Sequence, residues 1–424
     1  MELRITHPLI LPDDPCSLDA LEETIQTWGQ ELKRYALAAA WAAQMARLPP
    51  VPCPSCQSLD QRRAGHKTRW IETLFGGVPL VRQRQHCRSC GRHFQCDDAL
   101  LTPVLGAGRC PPRLQELAAL CGASWPYQQA AVVLGKVRGA PLAAETVRRI
   151  VAVAGAAVAA QYAAEAQIAC RPPATAPVPM TAPTAVEIIL DGGWIRSRDN
   201  AQGMEVKVGV VHTGSASCGA TRMRLPTRQY AATAHGVTPF APLVTAAIDH
   251  LDGFTAAEQT LLGDGATWIW RLGAAIIPDA TPVLDRWHLR DARRRATRAA
   301  VPDKAARTPW SVRLEDALDV GDVPHALRVL GEMQQQYAHP ALGEFATYLC
   351  NHAVRIPDYA ARQEAGKTIG SGAGEKGVDV VVNRRLKGRR GMRWWRERAD
   401  GVMALRLATL NDEWKSRLSA ALAA

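Results

Sequence analysis

Four of the eleven cysteines fall in two pairs of equal spacing, Cys53-x-x-Cys56 and Cys87-x-x-Cys90, with thirty residues between the pairs. Two thiolates on one tight turn can supply half of a tetrahedral shell, so the doubled spacing predicts a structural Zn2+ site with all four positions filled by sulfur. A redox dithiol would use one such pair, not two. His66, His86, His93 and Cys96 lie close by and read as bystanders. Farther along, Asp191 and Asp264 each end a short apolar run and each precede a glycine, and Glu375 opens a helical pattern whose face it shares with Val378, Val382 and Leu386. Acids at the rim of a sheet, with glycines leaving room beside them, suit a pair of Mg2+ (or Mn2+) ions about 3.5–4 Å apart. Such a pair supports in-line attack on a phosphodiester by water or a 3′-hydroxyl. Asp285 and His288, three residues apart, are possible auxiliaries: they could orient a phosphate or hold a nearby acid. Their bland reading is a strand-end cap with a hydrogen-bonded histidine.

The elements that must position these groups follow from periodicity. Residues 17–48 read as an amphipathic helix closed by Pro49-Pro50. Residues 69–82 read as two short strands around Gly76-Gly77. Three helices are expected over 111–160, separated by breaks at Gly122 and at Gly135–Pro141, a plausible helix-turn-helix. Five prolines within 170–185 exclude a regular helix or central strand there and mark a linker. Beyond it the order β-β-β-α-β-α-β, with strands at 186–191, 204–213, 221–231, 258–264 and 281–285, predicts a mixed sheet with helices on its faces. Residues 289–365 read as largely helical, and a final helix as 373–387.

Partners follow from charge. Lys and Arg exceed Asp and Glu by 51 to 40, a formal net charge of +11, which attracts polyanions, nucleic acid first among them. No apolar run is long enough to span a bilayer, so no membrane partner is expected. The opening Met1-Glu2-Leu3-Arg4 lacks the plan of a secretory signal, and a cytoplasmic, reducing setting is expected. Thr146, Arg148 and Arg149, near the start of the third helix of the triplet, would meet a major groove; the alternative is an ordinary helical hairpin with solvated arginines. Arg62, Arg63, Lys67, Arg69, Arg82, Arg84, Arg88 and Arg92 make the cysteine module basic, which suits phosphate contact. Arg290 heads a cluster that runs to Arg298. Arg384, Arg385, Lys387, Arg389, Arg390 and Arg393 surround Trp394 and Trp395, an interleaving that suits stacking on bases while the cations meet phosphates.

Asp191-Gly-Gly, Gly263-Asp-Gly-Ala-x-Trp-Ile-Trp270, Leu284-Asp-x-Trp-His-Leu289, Ile369-Gly-Ser-Gly and Val382-Asn-Arg-Arg-Leu-Lys-Gly-x-x-Gly-Met-x-Trp394 together resemble bacterial insertion-sequence transposases of the DDE class, in particular the Kra subgroup. The resemblance covers most of the chain. It implies an RNase H-like fold with a helical insertion between the second Asp and the Glu, for which the intervals of 73 and 111 residues leave room. One departure is Gly374, where the family usually has a bulky aliphatic residue; a glycine there weakens helix initiation by about 1 kcal/mol relative to Ala and makes Asp379 the fallback acid.

The expected architecture is therefore multidomain: an N-terminal helical segment (1–50), a zinc ribbon (51–97), a helix-turn-helix-like region (98–165), a Pro/Ala linker (166–185), an RNase H-like α/β catalytic domain (186–414) with its insertion at about 289–365, and a tail (415–424). The expected activity is DNA transposition on double-stranded element ends and target, by a homodimer or higher oligomer on the bacterial nucleoid. The alternative is a DNA-binding regulator or transposase relic without catalysis; a nuclease of the same fold would cut without joining.

Overall fold

The computed structural model describes residues 2–14, 16–105, 108–171, 182–214, 216–217, 223–388 and 391–423. It divides into two units, residues 1–155 with 415–424, and residues 156–414. The division falls inside one helix rather than at the proline-rich stretch, of which 172–181 lie outside the described residues. No described helix is long and apolar enough to cross a membrane.

In the first unit α1 (Leu18–Met45) starts at Ser17, whose hydroxyl accepts from Ala20 N–H at 3.2 Å. It lays Leu37, Ala38 and Trp41 on a small core of Ile71, Val78, Leu80, Leu101 and Leu105. The strands are longer than their periodicity suggested: β1 (Gln61–Thr73) and β2 (Gly76–Cys87) form an antiparallel hairpin extended by β3 (His93–Gln95). Gly76, at φ +104°, supplies the left-handed backbone that the turn requires. Helices α2 (Asp98–Leu105), α3 (Pro112–Ser124), α4 (Tyr127–Arg138) and α5 (Ala144–Ala169) follow. Gly122, expected to break a helix, lies inside α3. A Cβ there would come within 2.4 Å of Val151 and 3.0 Å of Val147, so the glycine permits close packing of α3 on α5. Gly139, at φ +62°, closes α4. Arg138, fully buried, donates to Thr73 O (2.7 Å) and Glu72 (2.6 Å), fastening α4 to the hairpin.

In the second unit β4 (Ala185–Ile195) and β5 (Met204–His212) are followed by a short pair, β6 (Ala216–Ser217) and β7 (Met223–Arg224), then by β8 (Arg228–Thr233). Next come α6 (Val237–Asp249), β9 (Glu258–Gly263), α7 (Thr267–Ile276) and β10 (Thr281–Leu284). The sheet order is β10-β9-β4-β5-β8; β10, β9 and β4 are parallel, and β5 is antiparallel to both of its neighbours. Helices α8 (Arg286–Ala300), α9 (Lys304–Asp319), α10 (Val323–Tyr337), α11 (Pro340–His352) and α12 (Tyr359–Glu364) form the expected helical stretch. The helix expected over 373–387 is α13 (Gly372–Val378), a π-helical turn over Asp379–Asn383, and α14 (Arg384–Leu386). Arg406 Nε donates to Val380 O and Val381 O, both at 2.9 Å, satisfying carbonyls of the π turn. It belongs to α15 (Arg396–Leu410), which the periodicity did not announce. The expected tail is largely α16 (Trp414–Ala423), with Leu418 and Ala421 buried.

Candidate functional site

The two cysteine turns are built alike. Gln57 N–H donates to Cys53 O and Gly91 N–H to Cys87 O, both at 2.9 Å, and each turn is closed by a left-handed residue, Gln57 at φ +58° and Gly91 at φ +75°. The hairpin then brings the turns face to face, with Cys53 Sγ 3.6 Å from Cys90 Sγ and Cys56 Sγ 3.5 Å from Cys87 Sγ. Tetrahedral Zn–S bonds of about 2.3 Å require sulfurs about 3.8 Å apart, close to these spacings. Among the described residues these four form the one group of three or more His, Cys, Asp or Glu whose ligand atoms all lie within 4.8 Å of one another. Burial disfavours the Cys53 thiolate, but the N–H groups of Cys56 and Ser55 outweigh it and hold its pKa below the ordinary thiol value; Cys90 and Ser89 N–H act in the same direction on Cys87. Cys56 goes the other way: the Ser58 N–H acts to lower its pKa, but the Cys90 and Cys87 sulfurs beside it push it up to about 12, a crowding that a zinc ion would relieve. The four cysteines are thus fit to hold one structural zinc.

In the second unit the strand register brings the acids together. β4 pairs with β9 only as far as Ile189–Leu262, so two further residues along each strand place Asp191 level with Asp264. Neighbouring strands lie about 4.8 Å apart. Leu284 pairs with Gly263, and Asp285 N–H donates to Gly263 O at 2.8 Å, so Asp285 is level with Asp264 on the next strand. Asp191 is therefore not at a strand end, as expected, but inside β4, at the point where β9 has stopped and left that side of the strand uncovered.

Glu375 is brought to this row by glycines. A Cβ on Gly374 would lie 2.8 Å from Ile189 Cγ2 and 3.4 Å from Asp191 Cβ. One on Gly377 would lie 2.6 Å from Val210 Cγ2, and one on Gly193 3.0 Å from Val378 Cγ1. Helix α13 thus rests directly on β4 and β5, and a bulky side chain at 374 would overlap Ile189. Gly374, a weak helix former, is the contact that seats the helix. Glu375 itself is exposed. Asp379, the fallback, is taken up by Lys376 (3.3 Å) and Arg384 (3.0 Å).

Among the described residues Asp191, Asp264 and Glu375 form no ion pair with any Lys, Arg or His. Asp191 Oδ1 accepts from Gly192 N–H (2.6 Å) and Asp264 Oδ1 from Ala266 N–H (2.9 Å). Burial, and then the charges of Asp264 and Glu375, raise the Asp191 pKa above its ordinary value. Asp285 is the opposite case. It is 1 % exposed and caps α8 through Trp287 N–H (2.6 Å). It also accepts from Ser371 N–H (2.9 Å), from the Ser371 hydroxyl and from His288 Nδ1 (3.1 Å). Burial alone would raise its pKa, but these donors hold it at about 2. The Asp285 hydrogen bond raises the pKa of His288, and the charges of Asp264 and Asp191 add to the effect.

Sequence reading missed several neighbours. Ser371 lay within the quoted Gly-Ser-Gly but carried no assigned role. Tyr348, whose hydroxyl lies 3.1 Å from a would-be Cβ on Gly265, is pushed to about 12 by burial and then by the Asp264 charge. With Ala292, Ala296, Arg295 and Phe345 it lines a cleft of about 460 Å³ that opens on Asp264 and His288. No local pattern announces a partner 84 residues away.

The residues expected to meet DNA divide. Arg148 and Arg149 are exposed and Thr146 half-buried, with Arg148 paired to Glu145 at 2.5 Å. Arg290 pairs with Glu315 (2.8 Å) and lies 5.2 Å over Trp287, itself exposed. Arg384 and Lys387 are exposed; Arg393 and Trp395, with Arg198, line a cleft of about 350 Å³. Arg385 and Trp394 are corrected: they are 1 % and 6 % exposed, stacked on each other at 5.0 Å, and Trp394 Nε1 donates to Leu386 O at 3.0 Å. Both belong to the core. Arg389 and Arg390 lie outside the described residues.

No family model matches the chain, and no curated protein is similar enough to match it.

Two outcomes are expected. The purified protein carries one zinc per chain by elemental analysis, and Cys87→Ser loses it and melts the first unit at a lower temperature; a full zinc content in that variant contradicts the four-sulfur site. Asp285→Asn lowers the His288 titration in NMR and costs on the order of 2–3 kcal/mol at neutral pH, through the missing charge-assisted bonds. The depressed Asp285 stabilises the fold above its ordinary 3.8, and that contribution disappears as pH falls through about 2, so parent and variant stabilities converge in strong acid. An unmoved His288 titration would show that the pair is not coupled.

Proposed function

We propose that this protein is a DNA transposase of the DDE class, with an RNase H-like catalytic domain whose acids are Asp191, Asp264 and Glu375. The observation that carries the reading is the row of carboxylates that no lysine or arginine pairs among the described residues, gathered from two adjacent parallel strands and the first turn of a helix laid across them. Fixed negative charges raise one another's pKa and are costly unless a cation joins them. The three do not all fall within one ion's shell, which suits a pair of ions: acids on different ions about 4 Å apart can stand up to about 8 Å from each other.

Asp191, Asp264 and Glu375 would hold Mg2+ (or Mn2+) ions, which would supply activation of the nucleophile and stabilisation of the departing 3′ oxygen. The protein's own groups prepare that reaction. Gly374 keeps bulk away from Asp191, whose Oδ2 lies 3.8 Å from a would-be Cβ there. Asp285 holds His288 with its Nδ1 turned inward, which leaves Nε2–H of the protonated ring to donate to a phosphate oxygen. Asp285 also fixes Ser371, whose carbonyl accepts from Glu375 N–H at 3.1 Å, so one buried acid sets both the histidine and the start of α13. Arg393 and Trp395 would hold the DNA strand beside this centre, and the first unit would bind the element ends. Joining two ends calls for at least two copies on the DNA.

The test uses DNA bearing the repeats that flank the gene. Asp191→Asn and Asp264→Asn should each reduce cleavage and strand transfer on the order of 10³-fold or more while end-binding persists. DNA binding by the parent protein with no metal-dependent cleavage would assign it to regulation instead, and cutting without joining to a nuclease. A stability readout accompanies it. Because the Asp191 pKa is raised, its ionisation destabilises the metal-free fold as pH rises above the ordinary 3.8. Asp191→Asn should therefore raise the metal-free Tm at pH 7 by about 2–4 °C, for about 1 kcal/mol. It should also abolish the further rise that Mg2+ gives the parent.

A further inference from the structure

A second charged site lies in the first unit, on the cysteine hairpin. Lys67, Thr68, Arg69 and Trp70 of β1 face Arg82 of β2, Asp98 and Thr102 of α2, and Gly108 and Arg109 across a cleft of about 600 Å³. The walls are fixed. Arg82, with 7 % of its side chain exposed, is bound by Asp97 at 2.8 Å and Asp98 at 2.5 Å, which locks the start of α2 against β2. Arg69 donates to Gly108 O at 2.6 Å, and Glu72 N–H donates to Arg109 O at 2.8 Å, which pins the opposite wall to β1.

The charges do not cancel. Asp98 is the one acid among the described residues lining the cleft, and it is taken up by Arg82. Glu72, next along the strand, is held by the buried Arg138 at 2.6 Å. Lys67 and Arg109 therefore face the opening with no carboxylate left to neutralise them among those lining residues. Arg69, held in place by the Gly108 carbonyl, adds its charge to the wall. Lys67 and Arg69, two apart on one strand, stand about 6.6 Å from each other, as suits successive phosphates. Trp70, 56 % exposed, alternates to the other face of the ribbon, its ring in contact with the position of Gly77. A membrane surface would want a broad apolar face, and Trp70 alone does not make one. A row of cations along a two-stranded ribbon fits a nucleic-acid backbone.

We propose that this cleft grips the phosphodiester backbone of double-stranded DNA through Lys67 and Arg109, with Arg69 alongside. The site is independent of the carboxylate row.

The experiment measures binding of the full-length, zinc-loaded protein to a short fluorescent duplex, without divalent cations, at several salt concentrations between about 50 and 200 mM. The double variant Lys67→Glu/Arg109→Glu should bind at least about tenfold more weakly, with the slope of log K against log salt shallower by about 2, one for each phosphate that the variant no longer neutralises. If the charge reversals disturb folding, judged by zinc content and Tm, Lys67→Gln/Arg109→Gln should give the same flattening of the slope. Parental affinity and slope in a folded variant would overturn the proposal, as would a loss confined to anionic vesicles. Because no chemistry is read, failure here leaves the transposase reading standing, and failure of Asp191→Asn to stop cleavage leaves this one standing.

Discussion

Mutual repulsion among carboxylates is the constraint around which the second unit is organised. Asp191, Asp264 and Glu375 form no ion pair with an arginine or lysine among the described residues, and burial first, then the charges of Asp264 and Glu375, raise the Asp191 pKa against the opposing charge of His288. Such a cluster disperses unless its backbone is held from elsewhere. Here it is held by the parallel pairing of β4, β9 and β10 over a fully buried apolar core that includes Ile188, Ile189, Leu262, Val283 and Leu284. The core stabilises the fold, and the charges draw on that stability.

The fourth acid of the row shows how environment divides like residues into different roles. Asp285 occupies the same level of the sheet as Asp264, one strand over, yet it is nearly sealed from water and surrounded by donors. Its lone pairs are engaged by Trp287, Ser371 and His288, so little is left for an external ion. It works as a brace: it starts α8, anchors the loop before α13 and orients the histidine. Asp191 and Asp264 each accept one backbone N–H, which leaves their remaining lone pairs for a ligand. The capping and the phosphate-orienting readings of Asp285 and His288 are thus compatible, since capping is how the aspartate holds the ring.

Much of this was legible in the sequence because it rests on local signals. The cysteine spacing fixes its own turns, and the alternation of apolar runs with helical periods yielded the order of the five central strands. What escaped depends on pairing between distant segments. Nothing near Asp191 says that β9 will stop at Gly263 while β4 continues, so a rim position looked like a strand end. Gly122 and Gly374 read as weak points in helices because glycine costs helix stability. Their value is steric, in the absent Cβ that lets α3 meet Val151 and α13 meet Ile189. Helix α15 escaped as well, its start masked by the charge run Arg396-Glu-Arg398.

The net charge needs the same discrimination. A surplus of eleven positive charges suggests a nucleic-acid partner, but many arginines face inward. Arg82, Arg138, Arg293 and Arg385 are buried, bound to carboxylates, carbonyls or an aromatic ring, and serve as staples. Planar guanidinium suits that work, since five donors in a fixed fork can satisfy several acceptors at once. A run such as Arg384-Arg385 therefore mixes the two uses in adjacent residues: one side chain goes to solvent and the next beneath Trp394. Composition supplies the sign of the field, while contact with a polyanion, as proposed, would fall to the fewer cations whose charges no neighbouring carboxylate takes up among the described residues. Lys67 and Arg109 meet that description in the hairpin, and Arg393 beside Trp395 meets it near the end of β4.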